Sequence, residues 1–292
     1  MRIRIRASLR RSPTKGTAMS HAVRSKDGTR IAFDVWGEGE PLIMVHGATA
    51  HRGTDRLNAG VGALLGQDRF RVYAYDRRGR GESTDTAPYA VEREIEDIEA
   101  LIDHAGGPAI VCGVSSGAVL TLDAAAAGLS ISRVALFEPP FVVDDGRPPR
   151  SADYVRRLDD AVAAGRRGEA AEMFLTEAAG LPPEAVAGVR ASPFWPGLLE
   201  VAHTIAYDGR IMGTTMSGAP LPTDRWSAVK MPVLVTYGNG TAPWLQAAAK
   251  ALADLLPTAT LQEVDGGQHD VAPEVLAPVL RQFAALTTHD RL

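Results

Sequence analysis

The stretch Gly113-Val114-Ser115-Ser116-Gly117 combines residue types and spacing that can do chemistry. It follows the apolar run AIVCGV and opens the alanine-rich run SGAVLTLDAAAAG, so a strand is expected to turn there directly into a helix. Such a turn is tight and strained. Small residues must flank its apex, and the apical side chain, Ser115, projects away from the core. The first N–H groups of the helix then face any negative charge that develops beside it. This is the setting of a nucleophile elbow, with Ser115 as nucleophile and the backbone N–H of Ser116 as one oxyanion donor. The blander alternative is a Gly/Ser turn that only caps the helix.

A serine hydroxyl needs a base. His269 lies in VDGGQHDV, beyond the last predicted strand, on the end of a parallel sheet that also carries the elbow. The other histidines fit less well. His104 falls at a helix C-terminus, where the helix dipole suits it. His21, His51 and His289 lie near a terminus or in a loop, and His203 lies where it could touch substrate. His46 is a rival by position, because His46-Gly47 also ends a strand. Its expected part is to shape a loop whose next residue, Ala48, offers a second oxyanion N–H.

The elements that must hold these residues alternate. AVRSKDGTRIAFDVWG reads as two strands joined at Asp27-Gly28. PLIMVHG, FRVYAYD, AIVCGV, RVALFE, PVLVTYG and TLQEVD read as further strands, mostly continuous apolar runs of the kind buried on both faces. Helices are expected over 52–66, despite Gly53, Gly60 and Gly62, and over VEREIEDIEALIDHA, closed by Gly106. Others are expected at SGAVLTLDAAAAG, over 244–256 between Pro243 and Pro257, and at PEVLAPVLRQFAAL with a bend at Pro278. The alternation predicts an α/β fold with a mostly parallel sheet covered on both faces. It breaks over 139–228, where helices at 151–164, 168–179 and 198–208 suggest a helical cap inserted into a core made of 21–138 and 229–292.

Composition narrows the classes. Apolar residues form 45% and charged residues 23% of 292 residues, a soluble globular mix that can fill one large core. The net charge of −4 draws the chain neither to nucleic acid nor to an anionic membrane. The single cysteine, Cys112, excludes an intramolecular disulfide and a Cys-rich metal site, and its apolar run argues for burial over reactivity. Residues 1–20 form an arginine-rich stretch without acidic residues, expected to be a disordered basic tail or an overlong start before Met19. It lacks the apolar core of a secretory signal, and no run is long enough to span a bilayer, so the expected location is the cytoplasm. No nucleotide-binding glycine motif or metal cluster is present, and no cofactor is expected.

The strand order, His46-Gly47, the stretch Asp76-Arg77-Arg78-Gly79-Arg80-Gly81-Glu82-Ser83, the elbow and Gly266-Gly267-Gln268-His269 together resemble the α/β-hydrolase superfamily. More narrowly they resemble its small bacterial esterase and epoxide-hydrolase-like branch, over residues 21 to 286. The resemblance implies the α/β-hydrolase fold and a Ser-His-acid triad. It also implies that the Asp76–Ser83 loop is mostly structural, with Asp76 bonding backbone or an arginine. In that family the acid usually follows the PVLVTYG strand as Gly-x-x-Asp. Here the segment reads Gly238-Asn239-Gly240-Thr241, and no carboxylate lies between Lys230 and Asp254. Glu138, at the end of RVALFE and before Pro139-Pro140, is the best substitute. Certain haloalkane dehalogenases of the superfamily carry their acid after this strand in a similar Phe-x-Glu setting. Asp265, Asp270, Asn239 as a neutral partner, or loss of the acid remain alternatives.

The expected reaction is ester hydrolysis through an acyl-enzyme, on a small-molecule substrate with an apolar acyl part. Phe141, Met173, Phe174, Phe194, Trp195, Tyr207, Met212 and Met216 are candidates for the pocket, some of them ordinary core. A serine nucleophile argues against epoxide hydrolase and dehalogenase chemistry, which in this fold use an aspartate. A thioesterase, lactonase, acyltransferase or carbon–carbon bond hydrolase would use the same Ser-His pair. A ligand-binding protein on a hydrolase scaffold is the non-enzymatic alternative.

Overall fold

A computed structural model describes residues 21–267 and 269–286. The basic stretch 1–20 and His289 lie outside the described residues. Eight strands form one sheet in the order β1-β2-β4-β3-β5-β6-β7-β8. They are β1 (His21–Arg24), β2 (Arg30–Trp36), β3 (Glu40–Val45), β4 (Phe70–Tyr75), β5 (Ala109–Val114), β6 (Ile131–Phe137), β7 (Val233–Gly240) and β8 (Ala259–Gly267). The β1–β2 hairpin turns at Asp27-Gly28, where Gly28 has φ +86° and the Asp27 carboxylate accepts the Thr29 N–H. β2 pairs antiparallel with β1 and with β4, and every later pairing is parallel.

The continuous apolar runs have a physical reason. Side chains alternate between the two faces of a strand, and both faces here are covered. In β3, Ile43 and Val45 enter one core while Leu42 and Met44 enter the other. β5 and β6 divide the same way, Val111 and Leu136 to the first core, Cys112 and Phe137 to the second. Helices α2 (Val91–Ala105), α3 (Ser116–Ala126) and α9 (Pro243–Leu255) close the first, and α1 (Arg56–Leu65) and α10 (Pro273–Ala285) the second. Gly106 ends α2 in the left-handed conformation, and Pro243 opens α9. α1 starts later than its glycine-containing sequence suggests, because the Asp55 side chain caps the N–H groups of Leu57 and Asn58.

Between β6 and β7 lie α4 (Tyr154–Ala163), α5 (Arg167–Met173), α6 (Pro183–Arg190), α7 (Trp195–Val201) and α8 (Ile205–Met212). A π-helical turn, Phe174–Ala178, follows α5. No strand occurs among the described residues of this segment. α6 was not expected; Pro183 at its first turn starts it. These helices share a small apolar cluster of their own around Tyr154, Leu158, Ala202 and Ile205. No helix among the described residues is long and apolar enough to cross a membrane.

Candidate active site

β5 leads straight into the elbow. Ser115 has φ 56° and ψ −125°, a conformation rare for a residue with a side chain, and α3 begins at Ser116. The flanking glycines are required by backbone approach. A Cβ on Gly113 would lie 2.4 Å from the Gly117 carbonyl oxygen, and one on Gly117 would lie 2.5 Å from the carbonyl oxygens of Val45 and His46. The elbow is thus pressed against the end of β3, and Ser115 N–H donates to Phe137 O of β6 at 2.9 Å. Ser116 is the first helical residue, so its N–H has no partner within the helix.

One strand further on, Glu138 directly follows β6 with φ 47°, and His269 follows β8 with φ 51°. The His269 Nδ1 lies 2.8 Å from Glu138 Oε2, and its backbone N–H donates to the same oxygen at 2.6 Å. The other carboxylate oxygen accepts the Gly238 N–H at 3.0 Å. Glu138 is 0% exposed. Burial alone would push its carboxyl up; the His269 ring, the Gly238 N–H and the His269 N–H outweigh burial and hold it below its ordinary value. β7 runs on through Gly238, Asn239 and Gly240, and Thr241, where the family usually carries its acid, follows its end. Asn239 there bonds Asp265 and the Gly266 N–H, each at 3.3 Å.

A cavity of about 290 Å³ opens over the elbow. Gly47, Ala48, Ser115, Ser116 and His269 line its floor side, and residues of the 139–228 segment complete it. Of the expected pocket residues, Phe174, Met212 and Met216 line it, joined by Tyr154 and Ile205. Phe141 instead packs on Trp226, Tyr207 stacks on Tyr89, and Phe194 is 80% exposed. His203 is not among the lining residues. Cys112 is buried, which pushes its thiol up to about 12.

The loop after β4 anchors the site. Asp76 accepts the N–H groups of Arg52 and Glu82, as the resemblance implied. Arg80 donates to Gly47 O at 2.7 Å and Arg77 to His46 O at 3.4 Å, so two guanidiniums hold the backbone that presents Ala48. Arg77 is also bidentate on Glu94. Both arginines meet Asp208 of α8, at 2.7 Å and 2.5 Å, and Asp208 accepts the Ser116 hydroxyl at 2.7 Å. Burial pushes the Asp208 carboxyl up, but Arg80, Arg77 and Ser116 together hold it below its ordinary value. Asp208 carries no local sequence signature, and it stands 92 residues from Ser116. His46 is fully buried, with Nδ1 2.6 Å from Asp55, the same carboxylate that caps α1.

An eight-stranded, mostly parallel sheet with a serine elbow after β5 defines the α/β-hydrolase fold. The model of the alpha/beta hydrolase family matches residues 42–279, and the chain belongs to that family. An alpha/beta hydrolase from Sphaerobacter thermophilus is 48% identical, with a TM-score of 0.83 over 91% of this chain and 100% of that one. A non-heme chloroperoxidase of Kitasatospora aureofaciens is 24% identical over 270 residues, 85% of this chain and 91% of its own length. The enol-lactonase of Burkholderia xenovorans, 21% identical with a TM-score of 0.62 over 90% of this chain and 96% of that one, shares the fold.

Proposed function

We propose that the protein is a serine hydrolase that cleaves a small or medium apolar ester through an acyl-enzyme, with Ser115, His269 and Glu138 as the triad. The observation that carries this reading is the 2.8 Å approach of His269 Nδ1 to buried Glu138, with His269 and Ser115 lining one cavity. A carboxylate at Nδ1 keeps the proton there, so Nε2 is left as the acceptor.

In the first step Nε2 takes the Ser115 hydroxyl proton as Oγ bonds the ester carbonyl carbon. The oxyanion is received by the N–H groups of Ala48 and Ser116. Collapse breaks the ester bond, and the leaving oxygen takes the proton from Nε2. Water then gives a proton to Nε2 and attacks the acyl carbon, and Ser115 leaves with that proton restored. The helices of 139–228 act as a cap, with Tyr154, Phe174, Ile205, Met212 and Met216 offering the acyl chain an apolar wall.

The test is hydrolysis of 4-nitrophenyl esters from acetate to octanoate. Ser115→Ala should abolish turnover above background, and Glu138→Gln should lower kcat by on the order of 10³–10⁴. Wild-type protein that neither turns over these esters nor reacts at Ser115 with a phosphonate would sink the reading.

A further inference from the structure

The geometry points to Arg150 as an anion anchor in the cavity, which makes the preferred substrate an ester that carries a carboxylate at the far end of its acyl chain. This rests on the ester-hydrolase reading above and names the substrate class of the same site.

Apart from the proposed base, Arg150 is the one basic side chain among the described residues lining the cavity. The other charged lining groups, apart from the proposed base, are Asp55 and Asp208, and both are engaged. Asp55 meets His46 and caps α1, and Asp208 is held by two arginines and Ser116. Arg150 has no such counter-charge. Its guanidinium donates to two carbonyl oxygens at the end of α8, Gly209 O at 3.2 Å and Gly213 O at 2.7 Å, and lies over the Tyr154 ring at 4.9 Å. No carboxylate pairs with it among the described residues. Glu177, which acts on it at longer range, is itself bonded to Arg157 and Ser151.

A guanidinium carries five N–H donors, and the described bonds come one from Nη1 and one from Nη2. The two carbonyls and the ring face fix its plane, so little side-chain freedom is lost when a ligand arrives. Burial pushes its pKa down, the direction expected of a half-buried cation whose charge is not matched. A planar carboxylate supplies that charge and accepts two parallel N–H bonds. Tyr154, Met212 and Met216, which line the same cavity as Arg150 and Ser115, offer apolar surface to the methylenes joining carboxylate to ester. A bland alternative is that Arg150 only caps the C-terminus of α8, and the experiment separates the two.

Mono-4-nitrophenyl adipate and 4-nitrophenyl hexanoate have acyl chains of equal length and differ by a terminal carboxylate in place of a methyl group. The wild-type kcat/KM should favour the anionic ester by about tenfold or more. In Arg150→Met that ratio should fall about tenfold, through KM more than kcat, and Arg150→Lys should lie between. A ratio at or below one in wild type, or unchanged in Arg150→Met, overturns the anchor, and a structural loss that lowers both activities together leaves the ratio unchanged. If wild type cleaves neither ester, the hydrolase reading fails on its own. Calorimetry with adipate then decides the anchor: binding that Arg150→Met removes supports it, and no binding to wild type overturns it.

Discussion

At the scale of single residues, the site is built from backbone conformations that cost energy. Ser115, Glu138 and His269 all have positive φ, and none is glycine or asparagine. Each is held by neighbours: Ser115 N–H by Phe137 O, Glu138 N–H by Thr236 O, and His269 N–H by Glu138 itself. The elbow glycines serve the same end, Gly117 by letting α3 touch the end of β3 and Gly113 by letting β5 lie close to the start of α3. Gly117→Ala should cost roughly 1–3 kcal/mol, the usual range for overpacking, because the added methyl meets two carbonyl oxygens that cannot rotate away. Urea denaturation measures this, and a midpoint equal to wild type would show that the elbow can relax.

Among elements, α8 has the widest reach. Through Asp208 it bonds the first residue of α3 and the two arginines that grip the Gly47 loop. Through its terminal carbonyls it orients Arg150. The cavity wall, the proposed nucleophile and the proposed oxyanion donors are therefore mechanically one unit. Asp208→Asn leaves the facing guanidiniums buried with less compensation, and breaking such a network costs on the order of 3–5 kcal/mol. Turnover should fall with stability, since the Arg80 contact to Gly47 O loses its support. A loss below about 1 kcal/mol by denaturant midpoint would mean that Glu94 alone compensates both arginines.

For the whole molecule, buried carboxylates held below their ordinary values make stability fall in acid, Glu138 and Asp208 among them. Glu138 and Asp208 both lie below their ordinary values in the folded protein. A carboxyl depressed by folding stabilises the fold while ionised. Its contribution is complete above the unfolded pKa, 4.5 for Glu138, and fades as pH falls through the lower folded value. Wild-type denaturation midpoints should thus drop as pH is lowered below about 5. Glu138→Gln should drop less, so the two curves converge towards low pH. Curves that stay parallel from neutral pH into acid would mean that Glu138 has the same pKa folded and unfolded.

Local pattern alone determined a good deal. The strand-turn-helix grammar around Ser115 follows from small residues at a tight turn, and the parallel sheet follows from short apolar runs that alternate with amphipathic helices. The same logic placed His269 and the glycine that ends α2, because caps and turns are dictated by neighbours in the chain. Glu138 was legible as the best candidate acid only through the family resemblance, beside Asp265, Asp270 and Asn239, since nothing local says which group will meet the histidine. That was decided by sheet order, which puts β6 beside β7 and brings the end of β6, 131 residues from His269, within hydrogen-bond reach. The contacts of Asp208 and the part proposed for Arg150 come entirely from tertiary structure. Their sequence surroundings are ordinary, and a charge acquires its meaning from burial and from the partners that folding supplies or withholds.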